Sequence, residues 1–282
     1  WMACTDADVQ LPRNYLTALP PADAPYSAAL YPFRHILEGS PSQRDAMLRY
    51  ECYLHYFVLG MRWAASPYAY HSIGSSFAVH LERYAAVRGF PRRRAAEDFY
   101  LLNKLKKQAP FVQLETDPIL IRGRESDRVP FGTGKAVRDI QAEVGPYRIY
   151  DPRVFTALQI WLQVQDAFSR APDGFDWSAA LACSELPEGL LQRCLQSQGA
   201  LDAAHKAARQ APTPEALKRR LFEWNDAFRS LRLIHLLRDE GLPSVPLLNG
   251  LRAAPFGPGV DTPSRLEEQR SRLIQALSWS AD

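Results

Sequence analysis

The apolar run Trp1-Met2-Ala3-Cys4 stops abruptly on Thr5-Asp6-Ala7-Asp8. A short apolar run that ends on paired acids predicts a buried strand delivering two carboxylates to the carboxyl edge of a sheet. That is the edge at which open α/β folds bind their ligands. Side chains alternate along a strand, so on an extended chain Asp6 and Asp8 point the same way. Two hard oxygen ligands so placed suit Mg²⁺ or Mn²⁺, ions that in turn hold phosphates. The competing reading is an acidic loop after a strand, and the tetrapeptide alone leaves both open.

The next segments extend the α/β pattern. A strand is expected at Tyr26 to Tyr31. A helix from Ser42 to Arg62 follows; it carries Tyr50, Tyr53, Tyr56 and Phe57 and is apolar nearly all round, which predicts burial. The stretch from Ser72 to His80 reads as a strand with Gly74 where a ligand or another backbone comes close. Leu81 to Val87 reads as a short helix stopped by Gly89 and Pro91. The helix from Ala95 to Lys107 is acidic at its start and basic at its end. That charge order complements the helix dipole and puts Glu97 and Asp98 at its N-terminus, with Asp98 held ionised. After a strand at Pro118 to Ile121 comes a loop from Arg122 to Lys135. Arg122, Arg124, Arg128, Ser126 and the paired glycines Gly132 and Gly134 make it suited to clamping a diphosphate, because guanidinium forks match phosphate oxygens. A solvated basic loop with an ordinary turn at Phe131 to Gly134 is the alternative; the segment is neither a Walker loop nor a GxGxxG.

Taken in order, the Asp-x-Asp of Asp6 and Asp8, the Gly74-Ser75 strand, Gly89-Phe90 and the Glu97-Asp98 pair opening an amphipathic helix resemble the family-2 glycosyltransferases of the GT-A fold. The resemblance covers about Ala3 to Ala136. It implies an α/β fold, a GT-A-like mixed sheet flanked by helices. It implies that Asp6 touches the donor ribose and, with Asp8, the divalent metal (Mg²⁺ or Mn²⁺) on the donor diphosphate, Asp8 being the direct ligand. Asp98 would be the catalytic base that takes the acceptor hydroxyl proton, while Gly74, Ser75 and Glu97 line the acceptor side. Arg122, Arg124 and Arg128 would lie in a loop that closes over the donor. The expected activity is a non-processive, inverting transfer from a nucleotide-sugar donor to a carbohydrate or other hydroxyl acceptor.

Two departures qualify that picture. Processive members carry a Gln-x-x-Arg-Trp motif after the acidic pair, whereas the Arg-Trp of this chain is Arg62-Trp63, before it. The usual Gly-Gly-Phe is Arg88-Gly89-Phe90. The nucleotide-binding half that precedes the Asp-x-Asp in such enzymes is not in this sequence, so a fold truncated at its N-terminus, not fully active alone, is expected. The rival readings are a non-catalytic sugar- or nucleotide-binding or assembly module derived from the same fold, and a metal-dependent phosphohydrolase.

Around residue 150 the pattern turns helical, which divides the chain into 1–150 and a helical region 151–282. Val154, Leu158, Trp161, Leu162 and Phe168 mark one amphipathic helix, and helical turns are expected at Glu188 to Leu195 and Leu201 to Gln210. A single helix is expected from Thr213 to Glu240, capped by Thr213, with Pro214 in its first turn and Gly241 and Pro243 after it. Pro243 to Pro263 reads as irregular, with a short helix after it.

The remaining composition narrows the partners. A net charge of +3 is spread out, and the small basic clusters are not interleaved with aromatics as a nucleic-acid track would be. They read as solvated surface first, and as a peripheral membrane or anionic-substrate patch second. No signal peptide or spanning segment is legible, so a cytoplasmic protein, at most at the inner face of a membrane, is expected. Four cysteines without CxxC spacing predict free thiols. His71 and His80 flank the Gly-Ser strand and read as ordinary packed histidines before they read as metal neighbours. Trp63, Tyr68 and Tyr70 read equally as sugar-stacking or core residues.

Overall fold

The structure, a computed structural model, describes residues 1–93, 95–123, 133–142, 145–257 and 265–278. The fold is mixed α/β. It divides into two compact units, residues 1–54, 70–145 and 265–270 in the first and 55–69, 146–264 and 271–282 in the second. The chain passes from the first unit to the second between Gly145 and Pro146, and residues 55–69 group with the second unit.

The first unit contains β1 (Met2–Cys4), β2 (Ala28–Leu30), β3 (Phe33–Ile36) and the first part of α1 (Pro41–Trp63). It continues with β4 (Phe77–Val79), α2 (Leu81–Ala86), α3 (Glu97–Lys106), β5 (Phe111–Gln113), β6 (Ile119–Arg122) and α4 (Thr133–Ala142). Its main sheet has the order β1-β4-β2-β5. β4 is antiparallel to both β1 and β2, and β2 is parallel to β5. The sheet is short, and both faces are buried by period-two alternation. Ala28, Leu30, Phe77 and Val79 face Leu101, Leu102 and Leu105 of α3. Ala29 and Ala78 face the other way, into a cluster with Tyr15, Tyr31 and Ile119. The Ser27 hydroxyl, within 2.9 Å of the Leu105 carbonyl, ties the end of α3 to the start of β2. A second, parallel pair joins β3 to β6, with His35 opposite Ile121.

Several local expectations change. The strand read over Ser72 to His80 is confined to β4; residues 73–76 form a turn closed by the Ser76 N–H on the Ile73 carbonyl. The loop read over Arg122 to Lys135 is shorter, because Thr133, Gly134 and Lys135 already belong to α4. Arg124, Arg128 and the turn at Phe131 lie outside the described residues.

The second unit holds β7 (Arg148–Ile149), α5 (Arg153–Arg170), α6 (Trp177–Ala180), α7 (Leu190–Ser197), α8 (Ala200–Gln210), α9 (Pro214–Trp224) and α10 (Ala227–Glu240). Then come β8 (Val245–Pro246), α11 (Leu247–Ala253) and α12 (Leu266–Ser278), whose first residues count with the first unit. α5 is the spine of this unit, with Phe155, Leu158, Trp161 and Phe168 fully buried. The helix expected over Thr213 to Glu240 is two helices. Thr213 caps α9 as expected, accepting from the Ala216 N–H. Asp226 then caps a new helix by accepting from the Arg229 N–H, and Asn225 turns its side chain to the Trp161 indole. The stretch after Pro243 is not irregular throughout, since β8 pairs with β7 and α11 follows. Among the described residues no helix is long and apolar enough to cross a membrane.

Candidate active site

The carboxyl ends of β1, β2 and β5 and the amino end of β4 share one sheet edge, because Cys4 and Leu30 are both opposite Phe77 and Leu30 is opposite Gln113. Asp6, two residues past β1, and Gly74, three residues before β4, therefore emerge at the same edge. His80 follows β4 at the opposite edge, where its Nε2 lies 2.8 Å from the Ala22 carbonyl. His71 packs edge-on against Phe33 at 5.0 Å.

α3 brings the third element. Its first residue, Glu97, is exposed, and Asp98 is half-buried. A methyl group built on Gly74 would stand 3.5 Å from Asp98 Oδ2, so the carboxylate lies directly over the glycine. Burial raises the Asp98 pKa; the hydrogen bond from the Phe99 N–H opposes the rise, and the charges of Glu97 and Asp6 add to it. The helix dipole was expected to hold Asp98 ionised. Desolvation works against the dipole, because a partly buried carboxylate loses hydration that a helix end only partly restores.

The expected residues are not all assembled. Asp6, Asp98 and Gly74 come together. Ser75 is buried in the turn beside Gly74, at 2% exposure, and offers little surface to an acceptor. The chain turns at Ala7 and Asp8, so the two aspartates do not lie on one extended strand, and Asp8 is half-buried where Asp6 is exposed. Arg122 ends β6, exposed, with Glu38 3.9 Å away. Tyr68 is buried against Phe222 and Tyr70 packs on Phe111 at 4.8 Å, which favours the core reading for both.

A polar chain that sequence patterning did not identify adjoins this edge. Tyr50 of α1 hydrogen-bonds Thr133, the first residue of α4, and its pKa is raised by burial, with the charge of Asp98 adding to the rise. Thr133 Oγ1 lies 3.5 Å from His35 Nε2. His35 Nδ1 is 2.9 Å from Glu51 Oε2, an oxygen that also accepts the His35 backbone N–H at 2.8 Å. Arg270 stands 3.8 Å from the same carboxylate. The side chains of His35 and Glu51 are wholly buried. This chain holds the start of α4 against α1 and β3.

Among the described residues no group of three or more His, Cys, Asp and Glu side chains could hold a metal. Asp6 is an exposed carboxylate close enough to Asp98 to raise its pKa. Mg²⁺ is commonly held by one or two carboxylates with substrate phosphates and water completing the shell; at this edge Asp6 is exposed, while Asp8, at the turn, is half-buried.

No protein-family model, curated protein or solved structure matches the chain.

Proposed function

We propose that the chain is a non-processive, inverting glycosyltransferase, moving a sugar from a nucleotide-sugar donor to an acceptor hydroxyl with Asp98 as general base. The observation that carries this reading is the half-buried Asp98 carboxylate, set over Gly74 and close to Asp6 at one sheet edge. A base works best when its pKa approaches the working pH, and burial moves Asp98 in that direction. The mixed sheet with helices against it is of the kind that the resemblance to GT-A enzymes implies.

In this reaction Asp98 accepts the acceptor hydroxyl proton as that oxygen attacks the anomeric carbon. The bond to the nucleoside diphosphate breaks with its electron pair leaving on the phosphate, and attack from the opposite face inverts the configuration. The bare Cα of Gly74 leaves room beside the carboxylate for the acceptor, and exposed Glu97 can accept a further hydroxyl. Asp6 and Asp8 would hold Mg²⁺ or Mn²⁺, which when bound neutralises charge on the leaving diphosphate. Arg122, and Arg124 and Arg128 beyond the described residues, are proposed as further diphosphate contacts.

The test is release of nucleoside diphosphate from a panel of nucleotide sugars, with and without sugar acceptors. Asp98→Asn keeps the shape and removes the basicity, so turnover should fall by roughly 10²–10⁴-fold while donor affinity by calorimetry persists. Near-parental turnover in that variant refutes the role of Asp98. Donor binding without turnover in the parent favours the non-catalytic module, and release of free sugar favours a hydrolase.

A further inference from the structure

The second unit holds a cleft that the reaction above does not use. Its volume is about 620 Å³, and it is lined by α5, α9 and the turn that follows α1, a size that suits one small organic molecule. Much of its wall is apolar, from Ala64, Pro67, Leu162, Leu221 and Phe222.

Two buried amides line the same cleft, Gln165 at 6% exposure and Asn225 at 2%. The Trp161 indole N–H donates to Asn225 Oδ1 at 3.2 Å. An indole nitrogen can only donate, so the atom facing it must be the amide oxygen, and Nδ2 is the end left over. Among the described residues neither Asn225 Nδ2 nor Gln165 Nε2 has a hydrogen-bond partner. Buried side-chain donors are nearly always paired in native proteins, and two without acceptors on one cleft call for oxygen atoms from elsewhere.

The charges favour an anion. Asp166 pairs with Lys218 at 2.6 Å and also with Arg170. Two cations share one carboxylate, which leaves a surplus positive charge beside the amides. A neutral sugar suits this lining poorly: its hydroxyls need acceptors as well as donors, and the Asp166 carboxylate is already committed to two cations.

We propose that this cleft is a binding site for a small organic carboxylate with an apolar aryl or acyl body. The amide donors of Gln165 and Asn225 and the charge of Lys218 take the carboxylate, and Leu162, Leu221 and Phe222 take the body.

The experiment is a titration of the ¹⁵N-labelled full chain with 4-phenylbutyrate and, separately, with 4-phenylbutanol, which has the same body without the charge. The side-chain NH₂ signals of Gln165 and Asn225 and the indole N–H of Trp161 should shift saturably with the acid. The alcohol should bind at least about tenfold more weakly. Lys218→Gln, at an exposed position, should weaken the acid and leave the alcohol unchanged. Asn225→Asp keeps an acceptor for Trp161 and replaces the donor with a negative oxygen, so it should abolish acid binding. The proposal is overturned if those signals show no saturable shift at millimolar acid, if acid and alcohol bind equally, or if the acid binds both variants as well as the parent.

Discussion

In the proposed reaction Asp98 is under two opposed demands. Partial burial costs its ionised form hydration, yet only the ionised form can accept a proton. Because its folded pKa is raised, its contribution to stability is fully present below the ordinary carboxylate range and is lost as pH rises through the raised value. At neutral pH the parent therefore carries the cost of a poorly hydrated charge. Asp98→Asn removes that charge and keeps an acceptor for the Phe99 N–H. Thermal unfolding should show the variant more stable than the parent at neutral pH, with the gain disappearing in acid; an equal difference at both pH values would rule out desolvation as its source. Arg88 shows a different conflict. It stands where the resemblance calls for a second glycine, and its φ of 62° lies in the left-handed region that disfavours residues with a Cβ. Its side chain is exposed. Arg88→Gly should raise stability by about 0.5–1 kcal/mol, read as a higher urea midpoint at unchanged slope. The sequence showed the residue at this place but not the conformation, which is set by the short α2 turning back on itself through Tyr84 and Gly89.

At the scale of elements, glycine works in the opposite sense. Gly60 lies inside α1, where alanine would ordinarily add about 1 kcal/mol of helix propensity. A Cβ there would meet the Phe155 ring at 2.6 Å. Gly60→Ala should therefore destabilise the protein by about 1–3 kcal/mol, through overpacking, measured by denaturant unfolding. α1, α3, α5 and the Thr213 cap were legible because apolar spacing, charge order and capping residues all agreed. The break between α9 and α10 was not, since Leu217, Leu221, Trp224, Phe228 and Leu231 keep helical spacing straight across it. Its one local sign is Asn225-Asp226, two residues of capping type in succession. The site divides in the same way. Asp6, Gly74 and Asp98 were readable from the order of short motifs. Tyr50, Thr133, His35 and Glu51 were not, because only tertiary packing of α1, β3 and α4 brings them into one polar chain.

For the molecule as a whole, the four cysteines are free thiols, as their spacing suggested, but they are not equivalent. Burial pushes Cys4 up to about 11 and Cys52 and Cys194 up to about 12; Cys52 and Cys194 are buried, whereas Cys4 and Cys183 are half-exposed. Thiolate is the reactive form, so iodoacetamide at neutral pH should modify Cys183 first in the native protein, Cys4 more slowly, and Cys52 and Cys194 only after denaturation; mass spectrometry of the labelled peptides checks the order. Composition could predict free thiols but not their ranking, which depends on where each side chain falls in the packed units. β1 is the outer strand of the four-stranded sheet, and an outer strand presents backbone groups that can template another strand. The Cys4 carbonyl at its end accepts from the Tyr15 hydroxyl at 3.2 Å. The strand that leads to Asp6 is, with β5, one of the two outer strands of this sheet among the described residues. With the donor site as proposed, self-association and donor access would be linked through three residues: a second copy zipped onto Met2 to Cys4 would crowd the carboxylate that leaves the sheet two residues later.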